Sequence, residues 1–247
     1  MATTRISDLH PGRTDWRITA KVLSTWFVHD FFSKRVMLLV DEKGNTIEAT
    51  IIHTPLMKKT PQYIYDGEWY SISNFMVIKP TLKDRNTTNP YQIKTWNDTE
   101  MIILGDVSPS HFFRFKDFDD MKNGRSIDGS SFDVFGCIVA VKQRRIHGSI
   151  SAEDGIADDY DEVVFTLLNG RNETFKCCAK RDYASNFMHQ WRQNGYHLTY
   201  KTHPVFCVLR FWKLGVSEGA PCIVNCSGSS RLFLQPNIEG LENHKAK

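Results

Sequence analysis

Flat rings and cations alternate at several points along the chain. Trp26, Phe27, Phe31 and Phe32 run into Lys34 and Arg35, and Lys79, Lys83 and Arg85 precede Tyr91. Further on, Lys142, Arg144, Arg145 and His147 form a basic run, Lys176 and Lys180 bracket Cys177, Cys178 and Ala179, and Phe211 and Trp212 close an apolar stretch. Aromatic faces accept a stacked base whatever its identity, and Lys or Arg side chains follow the phosphates, so this mixture suits single-stranded nucleic acid. Each stacked base is worth about 1–3 kcal/mol. Every one of these residues also has a plainer role open to it: rings pack, and most loop charges are simply solvated.

Other chemistries fit less well. His203 and Cys207, followed by Cys222 and Cys226, offer four zinc-ligand types in a usable order. However, Cys207 falls inside an alternating strand pattern and the chain has no tight Cys-x2-Cys knuckle. The sequence lacks a phosphate-cradling Gly-rich loop, a His-Glu-x2-His helix and a Gly-x-Ser-x-Gly elbow. The expectation is a protein with no catalytic residues, no metal, no cofactor and no small-molecule substrate. A net charge of +3 in 247 residues is too small to hold a polyanion globally, so any grip on phosphate must come from local patches. With 41% hydrophobic residues the chain can build cores, and no run approaches the roughly 18 apolar residues of a membrane span. The six cysteines lie mostly in apolar strand-like runs without a secretory leader, which points to a reduced intracellular protein with no membrane partner.

Period-two alternation dominates the pattern and indicates many strands and few helices. Strands are expected from Trp16, from Arg35, from Thr46, from Trp69 and from Tyr91, with a short helix over 55–66 closed by Asp66 and Gly67. The order then repeats: strands from Phe132, Glu162 and Thr174, a helix over 181–194 stopped by Gly195, a strand-rich stretch from Tyr196 to Trp212, and a last strand from Pro221. A shift of 128 residues places Val36 on Val164, Leu39 on Leu167, Asp41 on Asn169 and Gly67 on Gly195. Two copies in one register argue for duplication. The predicted fold is mainly β: two tandem OB-fold five-stranded Greek-key barrels, each with one helix between strands 3 and 4. The expected division is a first domain over 1–110, an ordered linker over 111–130 and a second domain over 131–247.

At this point the chain resembles the large subunit of replication protein A, in its two central tandem DNA-binding domains, and the plant-type paralogues in particular. The resemblance rests on Trp16-Arg-Ile-Thr-Ala-Lys-Val, on Leu39-Val-Asp-Glu-Lys-Gly with Ile47-Glu-Ala-Thr, on the linker Phe113-Arg-Phe-Lys-Asp-Phe-Asp-Asp-Met, on Asp133-Val-Phe-Gly-Cys-Ile and on residues 229–239. It implies sequence-tolerant binding of single-stranded DNA in the nucleus during replication, repair or recombination. Other replication protein A-like subunits or repair proteins would then be its partners.

An OB fold binds on strands 2 and 3 and on the loops joining strands 1–2 and 4–5. That places Trp26, Lys34 and Arg35 on the first 1–2 loop, and Lys79, Lys83 and Arg85 on the 4–5 loop. Tyr91 falls where the resemblance puts a stacking aromatic. Arg144 and Arg145 open the second 1–2 loop, Lys176 and Lys180 lie on or past strand 3, and Trp212, with Phe211, is the substitute platform where Cys178 and Ala179 replace an aromatic. Glu48 and Ile52 depart from the basic and aromatic residues the resemblance implies, and Glu48 is expected to repel phosphate. The acidic run from Glu153 to Glu162 has three readings: a solvated loop, a shield over the basic cleft, or a lure for a basic protein partner. Three readings remain open: a single-stranded DNA binder, a single-stranded RNA binder, and a protein-interaction module on a degenerate OB scaffold.

Overall fold

The structure, a computed structural model, describes residues 3–29, 33–51, 59–61, 63–82, 85–123, 130–144, 162–226 and 228–238. The chain forms two compact units, the first running to Phe113 and the second starting at Arg114.

In the first unit the alternating run from Trp16 becomes a long strand, β1 (Arg17–His29), followed by β2 (Ser33–Val40) and β3 (Thr46–Ile51). Then come β4 (Trp69–Ser73), β5 (Met76–Ile78), β6 (Gln92–Lys94) and β7 (Glu100–Ile103). The order across the sheet is β5-β6-β3-β2-β1-β4-β7. β4 and β5 are two halves of one strand, broken at Asn74, which takes the left-handed conformation (φ 57°) that Asn tolerates better than most residues. β6 runs parallel to β3 and antiparallel to β5, so the sheet closes on itself. A bulge between Val22 and Ser24 bends β1 so that it serves two sides of the barrel. Ile18, Ala20, Val22, Met37, Leu39, Ile47, Ala49 and Ile51 form the core, which Ile6, Leu9 and Trp16 extend from the N-terminal segment.

The second unit repeats the plan. β8 (Phe132–Arg144), β9 (Glu162–Leu168) and β10 (Thr174–Lys180) precede α2 (Asp182–Gln193) and α3 (Tyr196–Thr199), with α1 (Phe118–Lys122) ahead of them. β11 (Phe206–Ser217), β12 (Ala220–Asn225) and β13 (Arg231–Leu234) complete it. The order is β12-β10-β9-β8-β11-β13, and an extra β11–β12 pairing closes the ring. Again β12 is parallel to β10. A closed five-stranded barrel whose third and fifth strands pair in parallel is the OB topology, and it occurs here twice.

The duplication reaches hydrogen-bond detail. Asp41 N–H donates to Asn45 O and Asn169 N–H donates to Glu173 O, each at 3.0 Å. Asp41 Oδ1 accepts from the N–H groups of Lys43 and Asn45, and Asn169 Oδ1 accepts from those of Arg171 and Glu173. The same Asx turn therefore joins β2 to β3 and β9 to β10.

Three details differ from the sequence-based expectation. Residues 59–61 and 63–66 are irregular chain with turns at Lys59 and Asp66, not helix, and 55–58 with 62 lie outside the described residues. Tyr196–Thr199 is helical, because Gly195 (φ 70°) ends α2 and the chain restarts a helical turn under Trp191, whose ring lies 5.9 Å from Tyr196 and 5.3 Å from Tyr200. Within 111–130, the stretch from Arg114 to Lys122 packs as part of the second unit. Phe118 and Met121 are buried in its core, and Asp133 accepts the Arg114 N–H at 2.8 Å.

Candidate nucleic-acid interface

Strand register fixes which side chains share the outer wall of the second barrel. Residues directly opposite each other point to the same side of a sheet. Phe165, Leu167, Cys177 and Ile223 face the core, so their neighbours face out. One row crosses five strands: Lys142 opposite Val164, Val164 opposite Cys178, Cys178 opposite Val224, and Val224 opposite Lys213. The row on one side of it carries Ala140, Thr166 and Lys176, and the row on the other side carries Arg144, Glu162 and Lys180. Lys142, Lys176 and Lys180 are exposed and surround a floor of small, uncharged side chains. Beside Lys180 opens a cavity of about 530 Å³ lined by Arg181, Asp182, Tyr183, Asn186 and Asn225.

Two carboxylates interrupt this basic wall. Arg144 pairs with Glu218 and, at 3.5 Å, with Glu162. The Arg144 hydrogen bond holds the Glu218 carboxyl below its ordinary range, with Lys142 and Lys176 adding to the effect. Cys178 Sγ donates to Glu162 Oε1 at 2.6 Å, and Ser217 Oγ donates to the same oxygen at 3.3 Å. Burial, reinforced by the Glu162 charge, pushes the Cys178 thiol up to about 12. It is therefore a neutral hydrogen-bond donor at neutral pH, not a nucleophile.

The corresponding wall of the first barrel is covered. Thr46, Glu48 and Thr50, the outward residues of β3, are all buried. Glu48 is wholly inaccessible: it accepts from Arg85 Nε and from the Asn86 N–H, each at 2.8 Å, and from Asn86 Nδ2 at 3.2 Å. The hydroxyls of Thr46 and Thr87 lie 2.7 Å apart, and Asn89 Nδ2 donates to Thr46 O at 3.1 Å. Gln92 donates to Thr50 Oγ1 and accepts from Thr81 N–H and Oγ1. On β1 and β2, Trp26, Val36 and Leu38 are buried as well.

The residues singled out from sequence consequently divide. Lys176 and Lys180 are brought together with Lys142 on the open wall. Lys79 is exposed just past β5, while Lys34 and Arg35 lie on β2 and are half-buried, with the Arg35 guanidinium 4.9 Å over the Phe27 ring. Trp26 is not on a loop: β1 extends through it and the residue is only 7% exposed. Arg85 is committed to Glu48, which also corrects the expected phosphate repulsion, because that carboxylate is neutralised and out of reach. Tyr91 is half-buried, packed against the first core, and its O accepts from Arg85 Nη2. Trp212 has no exposed surface and donates its Nε1–H to Arg231 O, and Phe211 is also buried, so neither ring is presented to a base. Arg144 is held by two acids. Ile52, Lys83, Arg145, His147 and the acidic run from Glu153 to Asp161 lie outside the described residues, as do Phe31 and Phe32. Lys213 was missed by sequence reasoning, although alternation against core-facing Leu214 places it outward. Of the four residues weighed as zinc ligands, Cys207 is fully buried in the second core, where burial raises its thiol far above the ordinary value.

Comparisons place the architecture. A family model described as a domain of unknown function, DUF223, matches residues 7–124. No curated protein matches the sequence. Among solved structures, a chain of a replication protein A heterotrimer bound to ssDNA is similar over 98% of this chain, with 18% identity and a TM-score of 0.61. This chain spans 54% of that one's length. The OB domain of a Methanosarcina mazei protein is similar over 42% of this chain and 84% of its own, with 22% identity and a TM-score of 0.32. DNA-binding domain A of S. cerevisiae replication protein A is similar over 43% of this chain and 96% of its own, with 21% identity and a TM-score of 0.35.

Proposed function

We propose that the chain binds single-stranded DNA, with little sequence preference, on the outer wall of its second barrel. The observation that carries this reading is the register that gathers Lys142, Lys176, Lys180 and Lys213 around an uncharged floor of Val164, Thr166 and Val224; Val164, Thr166, Lys176 and Lys180 lie on β9 and β10, the strands 2 and 3 that an OB fold uses for ligands. Cations spaced along strands follow a phosphate backbone, and the floor leaves room for bases without reading their edges. The chain acts as a binder and not as an enzyme. Its place is the nucleus, in replication, repair or recombination, alongside replication protein A-like subunits or repair proteins. The twofold OB plan and the motifs shared with that family support this setting.

A protein-interaction module is the second reading. It is favoured by the absence of an aromatic side chain in the rows through Cys178 and Lys176, where stacking would occur. Titrating labelled oligo-dT, oligo-rU and duplex of equal length at several salt concentrations separates the readings. Oligo-dT should bind well above duplex, with a log–log salt slope of about −0.7 per phosphate neutralised. Preference for oligo-rU would make the ligand RNA. Lys176→Glu combined with Lys180→Glu should flatten the slope and weaken binding on every sequence alike. A protein that ignores oligo-dT even at low salt is the interaction module instead.

A further inference from the structure

Positions 48 and 176 are equivalent, 128 residues apart, and their side chains face the same side of strand 3 in each barrel. In the second barrel the position is an exposed Lys; in the first it is a Glu with no accessible surface. What buries Glu48 is the chain's own segment 85–91. We propose that this segment shuts the outer wall of the first barrel, with Glu48 as its latch, so that a single strand engages the second barrel alone in the resting protein. The inference rests on the reading that the second wall binds single strands.

A carboxylate is kept out of water only when its charge is paired and its oxygens accept hydrogen bonds. Glu48 meets both conditions through this segment, with Arg85 Nε 2.8 Å from one oxygen and the Asn86 N–H 2.8 Å from the other. The segment is itself fastened along its length. Thr87 Oγ1 donates to Thr46 O at 3.1 Å, Asn89 Nδ2 donates to the same oxygen, Tyr91 N–H donates to Asn89 Oδ1 at 2.9 Å, and Arg85 Nη2 donates to Tyr91 O at 3.2 Å. Gln92 ties Thr50, the remaining outward residue of β3, to Thr81. The polar groups a strand would use on this wall are already taken, and the cation that would meet its phosphate is held by Glu48. Displacing the segment would strand a buried carboxylate beside the incoming polyanion, so DNA does not compete for the site.

The test uses the whole chain and oligo-dT of graded length. Glu48→Lys gives the first barrel the residue the second barrel has and sets two cations against each other, Lys at 48 and Arg85. The variant should occupy more nucleotides per protein by at least the roughly four of a small OB site, with a salt slope steeper by about 0.7 per added phosphate. In the wild type, the Asn86 and Tyr91 amides should exchange as slowly as those of β3, and saturating oligo-dT should leave them unchanged. Fast exchange at Asn86 in the free protein would overturn the closure, as would a wild-type footprint that already matches Glu48→Lys. If the variant fails to fold by circular dichroism, wild-type exchange decides alone. If the wild type does not bind oligo-dT, the functional reading fails, while the Asn86 amide still reports whether the wall is shut.

Discussion

A cation's use depends on the carboxylate it faces. Arg85 and Arg144 look identical to Lys176 and Lys180 in the sequence, as basic residues near OB ligand strands, yet both arginines are paired with acids. A guanidinium, with several donors on a weakly hydrated plane, suits pairing with a protein carboxylate, whereas lysines with exposed heads remain available to phosphate. Tyr91 shows the same division between surface and interior. Its ring packs on the first core and its backbone is tied to Arg85 and Asn89, so Tyr91→Ala should remove packing more than a stacking platform. We expect a loss of about 2 kcal/mol in chemical denaturation, as for truncating a partly buried large side chain. Oligo-dT affinity should stay within twofold; a tenfold loss of affinity at unchanged stability would make Tyr91 a stacking residue after all.

At the scale of elements, strand length redistributes the candidates. Alternation identifies β1, but not that it continues through Trp26 to His29, because the extension is set by pairing with β2 and not by a pattern within Ser24 to Val28. Gly195 illustrates the reverse case: its positive φ is required locally, so the end of α2 is legible in the sequence. The stretch before β8 is decided by Asp133. Its carboxylate, almost wholly buried, accepts the Arg114 N–H at 2.8 Å and the Phe211 N–H at 3.1 Å, and so fastens the entering chain and the left-handed Phe211 on β11 (φ 58°) at once. Burial raises its carboxyl above the ordinary value, and Arg210 beside it pulls the other way. Asp133→Ala leaves two N–H groups without their acceptor, at about 1–3 kcal/mol each. The second unit should lose roughly 3 kcal/mol and the Arg114 amide its exchange protection. An unchanged Arg114 amide would mean that Asp133 does not hold the segment.

At the scale of the whole molecule, each unit has its own core, and the six cysteines all belong to the second. Burial raises the thiols of Cys177, Cys178, Cys207 and Cys222 above the ordinary 9.0. A group that holds its proton more tightly when folded favours the folded state fully below its unfolded value, and that contribution is lost as pH rises. The second unit should therefore weaken from about pH 9 upward. In the first unit, Tyr70 is raised from 10.0, chiefly by burial, so the corresponding loss starts about a unit later. Calorimetry across pH 8–11, with the second transition assigned by its shift in Asp133→Ala, should show that transition falling first. Parallel decline of both transitions would refute the assignment of the effect to the thiols.

Local rules were enough for the scaffold. Period-two alternation, the Asx turns at Asp41 and Asn169 and the helix stop at Gly195 depend on neighbours within a few residues, so the sequence alone specifies two OB barrels in one register. Which barrel keeps an open wall is a tertiary matter, because burying Glu48 takes partners 37 and 38 residues further along the chain. No local pattern announces that Arg85 and Asn86 will fold back across β3, while the lysine at the matching place stays in water.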